Sequence, residues 1–204
     1  KMVVIIDYGM GNVASVQKTL KFLDIESEVT NDPQKISDSD CIILPGVGSF
    51  KQGMTNLHDL GLVEVLNEEV IQKKKKFLGI CLGMQLLATE GEEVGLTRGL
   101  GTIKGRVTKM EAKEKCRLPH VGWNVIDHNG EGLFEGVHEH SDFYFVHSYY
   151  FKNFSGDAEI ALSNHGQNFP SIIGRDNIIG VQFHPEKSGE TGLTILKNFL
   201  NWRP

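Results

Sequence analysis

Cys81 sits between two glycines in the run Phe77-Leu78-Gly79-Ile80-Cys81-Leu82-Gly83-Met84-Gln85-Leu86-Leu87. An apolar stretch ends at Gly79, the cysteine follows two positions later, and Gly83 opens an apolar pattern of helical spacing. This is a Gly-x-nucleophile-x-Gly elbow with cysteine in the nucleophile position. So tight a passage from strand to helix forces strained backbone angles on the nucleophile and glycine on both flanks. It holds the sulfur out at the carboxyl end of a sheet and at a helix N-terminus, where partial positive charge favours the reactive thiolate. Without the glycines, an unpaired cysteine reads as a small buried apolar residue.

A nucleophilic thiol needs a base, and the base needs a group to orient it. His58, His128, His138, His140 and His165 stand in polar, turn-like sequence and read as surface residues. His184 differs, because it ends the apolar run Ile178-Ile179-Gly180-Val181-Gln182-Phe183 and is followed by Pro185 and Glu186. The carboxyl end of a parallel strand is where such sites assemble. Continued strand alternation would project residues 184 and 186 to the same side, so that Glu186 holds the imidazole. Pro185 cannot donate in a ladder, as expected where a strand leaves its sheet. Pro45-Gly46-Val47-Gly48 supplies a glycine-rich turn whose backbone N–H groups can face a developing oxyanion.

These segments need a scaffold that brings strand ends together. Val3 to Ile6, Glu26 to Thr30, Cys41 to Leu44 and Phe77 to Ile80 read as strands, and Val13 to Leu23 and Leu57 to Lys75 as helices. That alternation predicts an α/β fold, a doubly wound, mostly parallel sheet with helices on both faces. After Ala88, short strands follow one another at Ile103 to Met110, Asn124 to Ile126, Asp142 to Val146 and Ala158 to Leu162, which predicts a small mixed or antiparallel extension. Ile178 to Phe183 is a further strand and Gly192 to Trp202 a closing amphipathic helix. No linker or repeat interrupts the chain, and its 204 residues fit a single domain over 1–204.

Composition removes several classes of function. The formal charge of −5 argues against non-specific nucleic-acid binding. The one basic run, Lys73 to Lys76, reads as a solvated helix end. No stretch approaches the roughly 20 apolar residues of a membrane span. Cys41, Cys81 and Cys116 have neither zinc spacing nor a disulfide framework, which fits a reducing cytoplasm and no metal. Gly9 and Gly11 lack the third glycine of a dinucleotide loop, so no cofactor is expected.

Gly-Ile-Cys-Leu-Gly-Met-Gln at 79–85 and Phe-His-Pro-Glu at 183–186 resemble the two signatures of the class I (triad) glutamine amidotransferases. Five further segments look like the glutaminase subunits of imidazole glycerol phosphate synthases. They are Asp7 to Asn12, Pro45 to Phe50, Leu118 to Asn124, Tyr144 to Tyr149 and Gln182 to Ser188, in that family's order. Pro119-His120-Val121-Gly122-Trp123-Asn124 is the most specific of them. The resemblance implies glutamine hydrolysis through a thioester on Cys81, with His184 as general base and acid and Glu186 orienting it. Val47 and Leu82 would offer backbone N–H groups to the oxyanion, and Gly48, Gln85, Glu93, His147, Ser148 and Tyr149 would surround the glutamine. Asn12, Trp123, Asn124 and Tyr144 would meet a (β/α)₈-barrel cyclase as a heterodimer. Ammonia would pass to that cyclase for synthesis of imidazole glycerol phosphate and aminoimidazole carboxamide ribotide in histidine biosynthesis.

The charged stretch from Lys109 to Lys115 matches no motif, which leaves open a paralogous pair that supplies ammonia for another amidation, such as that of bacterial surface sugars. Two other classes compete: an ester hydrolase on a related elbow, and a non-catalytic binding subunit on a degenerate amidotransferase scaffold. The hydrolase order places the acid before the histidine, whereas here the carboxylate follows it. All three triad positions are filled.

Overall fold

Apolar runs of four or five residues with no polar alternation must be covered on both faces, and that is how the central strands are used. A computed structural model describes residues 2–153, 156 and 158–204. The strands are β1 (Val3–Ile6), β2 (Ser27–Thr30), β3 (Cys41–Leu44), β4 (Lys76–Ile80), β5 (Glu90–Gly91), β6 (Thr97–Arg98) and β7 (Gly105–Lys109). They continue as β8 (His120–Val125), β9 (Asp142–His147), β10 (Tyr149–Asn153), β11 (Glu159–Asn164), β12 (Asn168–Arg175) and β13 (Ile178–Val181). The helices are α1 (Val13–Phe22), α2 (Pro33–Asp38), α3 (Phe50–Asp59), α4 (Leu62–Leu66), α5 (Leu82–Gln85) and α6 (Gly189–Asn201). Every residue of β1, β3, β4 and β13 is buried.

A seven-stranded sheet of order β11-β12-β13-β4-β3-β1-β2 forms the centre. Strands β2, β1, β3, β4 and β13 are parallel, and β12 and β11 close that side antiparallel. Alternate strand residues feed two cores. Val4, Ile6, Ile42 and Leu44 pack with α2, α3 and α4, whereas Val3, Ile5, Cys41, Ile43 and Ile80 pack with α1 and α6. Helices therefore cover both faces, as the alternating pattern predicts. From β1 the order runs to β2 on one side and β3 on the other, so the topological switch lies between β1 and β3, where α/β sheets open a crevice at their carboxyl ends.

The later strands divide differently from expectation. β7 joins β10, β5 and β6 in a separate four-stranded sheet, and β8 pairs with β9 in a two-stranded ribbon. Only β11 and the unanticipated β12 extend the central sheet. The helix expected over Leu57 to Lys75 begins earlier, at Phe50, where the Ser49 side chain accepts from Gln52 N–H. Gly61, at φ 69°, then breaks it. Asn67–Gln72 continues α4 as π-helix. No helix among the described residues is long and apolar enough to cross a membrane.

The basic run is a solvated helix end only at Lys73 and Lys74, which are exposed where the π-helix stops. Lys75 pairs with buried Glu69 at 2.9 Å. Lys76 enters β4 and is buried, its ammonium donating to the carbonyls of Phe199, Leu200 and Trp202 at 2.9, 2.8 and 3.0 Å. It thereby satisfies the free carbonyls that end α6 and ties the last helix to the central strand. Lys76→Met is expected to cost about 2 kcal/mol of stability, read as a lower urea midpoint with an unchanged denaturant slope.

Candidate active site

Four neighbouring parallel strands deliver the site. β1 ends in residues 7–12, β3 in Pro45 to Gly48, β4 in Cys81, and β13 in Gln182 to Glu186. At the elbow Cys81 has φ 54° and ψ −107°, a strained conformation for a residue with a side chain. A Cβ on Gly83 would lie 1.8 Å from the Leu44 carbonyl oxygen, and one on Gly79 2.5 Å from that of Gly83. Neither position tolerates a side chain. The helix that follows is a single turn, four residues long, so few aligned peptides stand behind the sulfur. A side chain and strand backbone define its environment instead. Cys81 Sγ lies 3.9 Å from the Val146 carbonyl oxygen and 3.7 Å from Gln182 Nε2.

His184 and Glu186 have fully buried side chains and meet at 2.6 Å between Nδ1 and Oε1. Strand alternation does not bring them together. β13 ends at Val181, and a 3₁₀ turn over Pro185–Lys187, with proline in its first position, folds the carboxylate back onto the ring. Nδ1–H donates to Glu186, which leaves Nε2 as the proton acceptor of the neutral ring. That Nε2 is buried and has no hydrogen-bond partner among the described residues. Burial opposes charge on the imidazole, but the interactions with Cys81 and Glu186 outweigh it and raise His184 to about 10. Asn12, expected at a partner interface, is partly exposed and donates its side-chain N–H to the same Glu186 oxygen.

The backbone donors expected at the oxyanion are engaged elsewhere. Leu82 N–H donates to the Gly46 carbonyl at 3.2 Å, and Val47 N–H donates to the Met10 carbonyl at 2.9 Å. Gly46 C=O and Val47 N–H belong to one peptide group, so a single plane occupies both donors. Tyr8 lies beneath this turn. Its hydroxyl donates to the Pro45 carbonyl at 2.7 Å, and a Cβ on Gly46 would fall 2.2 Å from that hydroxyl. Burial first, and then the charge of Cys81, raise the Tyr8 phenol well above its ordinary range, so it stays a donor.

Of the residues expected around glutamine, Gly48 is exposed and follows the turn, and the Glu93 carboxylate accepts from Phe50 N–H just beyond it at 3.1 Å. Ser148 and Tyr149 lie half-buried where β9 passes into β10. Gln85 and His147 are buried, and both donate to the Tyr149 carbonyl, at 3.3 and 2.8 Å. Because His147 Nδ1 carries that proton, its Nε2 accepts from His120 Nδ1 at 3.0 Å, and His120 Nε2 accepts from the Asn124 amide at 3.3 Å. Burial pushes His147 down to about 3 and His120 to about 4, so both rings are neutral. His165, expected at the surface, stacks on His120 with centroids 4.2 Å apart.

Trp123 is 55% exposed on the ribbon and packs edge-on against Tyr144. Val121 and Val125 are exposed beside it on the same strand face. This apolar face and the inward row of His120 and Asn124 are opposite sides of β8. Tyr8, His120 and Gln182 lie in segments that carry the family resemblance, but the sequence assigns none of them a role. A glutamine at the end of an otherwise apolar strand was the available signal for the last of these. A groove of about 1060 Å³ lies along β11 and β12 beside Leu133 and Trp202 and shares no lining residue with this site.

Known proteins resemble the chain in sequence and in fold. Residues 4–202 match the family model of the class-I glutamine amidotransferases. The chain is 44% identical to imidazole glycerol phosphate synthase subunit HisH 2 of Methanococcus maripaludis over 98% of each chain. It is 48% identical to subunit HisH of Chlorobium chlorochromatii, over 97% of this chain and 98% of that one. Among solved structures it resembles a putative GMP synthase protein of Thermoplasma acidophilum, with a TM-score of 0.74 at 19% identity, covering 98% of this chain and 92% of the other. A glutamine amidotransferase structure matches with a TM-score of 0.76 at 18% identity, covering 97% of both. An elbow cysteine facing a carboxylate-held histidine, carried on this fold and in this sequence company, means that the chain belongs to the class-I glutamine amidotransferases, in the branch of the HisH glutaminase subunits of imidazole glycerol phosphate synthase.

Proposed function

We propose that residues 1–204 work as one glutaminase domain that releases ammonia from the side-chain amide of glutamine for use by a partner enzyme in histidine biosynthesis. The observation that carries this reading is the bare, buried Nε2 of His184, whose other nitrogen is fixed by Glu186 and whose ionisation is coupled to Cys81. Cys81 thiolate attacks the carboxamide carbon, and the carbonyl electrons move to oxygen. His184 gives its proton to the leaving nitrogen, the C–N bond breaks, and ammonia departs from a thioester. Part of what keeps His184 protonated is Cys81 itself. In the thioester that contribution is gone, so the ring becomes a base when it must take a proton from water. Hydroxide adds, the C–S bond breaks, and glutamate leaves.

Rotation of the Gly46–Val47 peptide would free Leu82 N–H and turn Val47 N–H inward in one movement, completing an oxyanion hole. Gly48, Glu93, Ser148 and Tyr149 line the glutamine pocket, with Gln85 and His147 supporting it from beneath. The exposed face of Trp123 and Val121, with Tyr144 packed against it, receives a (β/α)₈-barrel cyclase. Asn124 and Asn12 link that face and its surroundings to the buried site. Ammonia crosses this interface without entering solvent, in the cytoplasm, and neither a cofactor, a nucleic acid nor a membrane takes part.

Mixing the chain with a histidine-pathway cyclase and its nucleotide substrate is expected to give a 1:1 complex and nucleotide-stimulated glutamate release. A chain that ignores this cyclase but is stimulated by a different acceptor enzyme belongs to a paralogous pair. One that releases no glutamate with either is a binding subunit.

A further inference from the structure

The triad leaves one buried polar side chain at the sulfur without a role. Gln182 is fully buried and follows β13 directly. Its amide orientation is fixed by a chain of partners. The Tyr149 carbonyl can only accept, so the Gln85 group facing it at 3.3 Å must be Nε2. The same Nε2 lies 3.1 Å from the Gln182 side chain and donates to its oxygen. Gln182 must therefore turn its own NH₂ toward Cys81 Sγ, at 3.7 Å. His147 grips the Tyr149 carbonyl from the other side and is itself held by His120 and Asn124. The donors run in one consistent direction, from the ribbon to the carbonyl and from Gln85 through Gln182 to the sulfur.

We propose that Gln182 is a further catalytic residue, whose side-chain N–H holds the Cys81 thiolate in its reactive position. This rests on Cys81 being the nucleophile. The sulfur then has a partner in each protonation state: the thiol S–H can donate to the Val146 carbonyl at 3.9 Å, and the thiolate accepts from Gln182. When the proton passes to His184 Nε2, the carbonyl repels the new negative charge and the amide N–H attracts it. A donor buried beside the sulfur also keeps its full effect, because water does not compete there.

The test is alkylation of the intact chain by iodoacetamide at fixed neutral pH, with labelling at Cys81 and Cys116 followed separately by peptide mass spectrometry. Gln182→Met keeps the side-chain length without a donor, and Gln182→Glu keeps the shape with an acceptor. Both are expected to slow labelling of Cys81 by roughly tenfold or more, with Cys116 unchanged. In complex with the cyclase, kcat for glutamine should fall by a similar factor, with KM within about twofold. Cys81 labelling within twofold of wild type in both variants, or slowing in Gln182→Glu alone, overturns the proposal. Glutamine hydrolysis that survives Cys81→Ala would instead sink the nucleophile assignment beneath it.

Discussion

Cys81→Ala is expected to reduce glutamine-dependent synthesis in the complex by about 10⁶-fold, to the assay background, while synthesis from added ammonium continues at the wild-type rate. The size follows from covalent catalysis. Without sulfur there is no thioester, and His184 and Glu186 have no nucleophile to serve, so the three groups fail together rather than in proportion. The substitution itself is mild. The Cβ is retained at φ 54°, and both glycine clearances at the elbow are untouched. The partner should therefore dock normally and show full ammonium-dependent turnover in the same preparation, which is the control for folding. Substantial glutamine-dependent turnover by the variant would mean that the nucleophile lies elsewhere.

The parts of this molecule that were legible in the sequence are those where one residue type answers one physical demand. Gly79 and Gly83 are needed because backbone carbonyls stand where a Cβ would go, and the fully apolar runs of β1, β3 and β13 must lie inside a sheet. Proline at the turn after His184 announced the end of a strand, although it makes a 3₁₀ turn rather than extending the alternation. Helix α2 escaped notice, although Asp32 caps it by accepting from Gln34 N–H and Pro33 occupies its first position. Asn31-Asp32-Pro33 reads equally well as the turn that ends the preceding strand. What no local pattern could give is where a side chain points across distant segments. Asn12 meeting Glu186, and Lys76 meeting the end of α6, join residues more than a hundred positions apart. The commitments of Leu82 and Val47 N–H are likewise invisible in sequence, because every residue type presents the same backbone groups.

Those two commitments set the second large effect. Glutamine hydrolysis by the chain alone is expected to rise by about 10³-fold or more when the cyclase docks with its nucleotide bound. Each oxyanion donor is worth roughly 10²–10³ in kcat, and on the proposed assignment the Gly46–Val47 peptide disables two at once, by blocking Leu82 N–H and turning Val47 N–H toward Met10. Gly46, at φ +157°, has no room for a Cβ beside Tyr8 in the resting turn, and glycine's wide range of backbone angles lets the peptide that follows it rotate. Because glutamine binding does not use the oxyanion hole, stimulation should appear in kcat, with KM changed by only a few-fold. Glutamate γ-semialdehyde, whose thiohemiacetal with Cys81 carries an oxygen in the oxyanion position, provides the second measurement. It should bind the free chain weakly and the docked chain far more tightly, whereas glutamate should bind both alike. Equal semialdehyde affinity in the two states, or a free chain already turning over at the stimulated rate, would show that the turn is not the gate. The energetic logic favours the gate. On the proposed reading, a peptide that holds two hydrogen bonds in the resting state opens when docking supplies a comparable gain, and ammonia release is then tied to the presence of an acceptor.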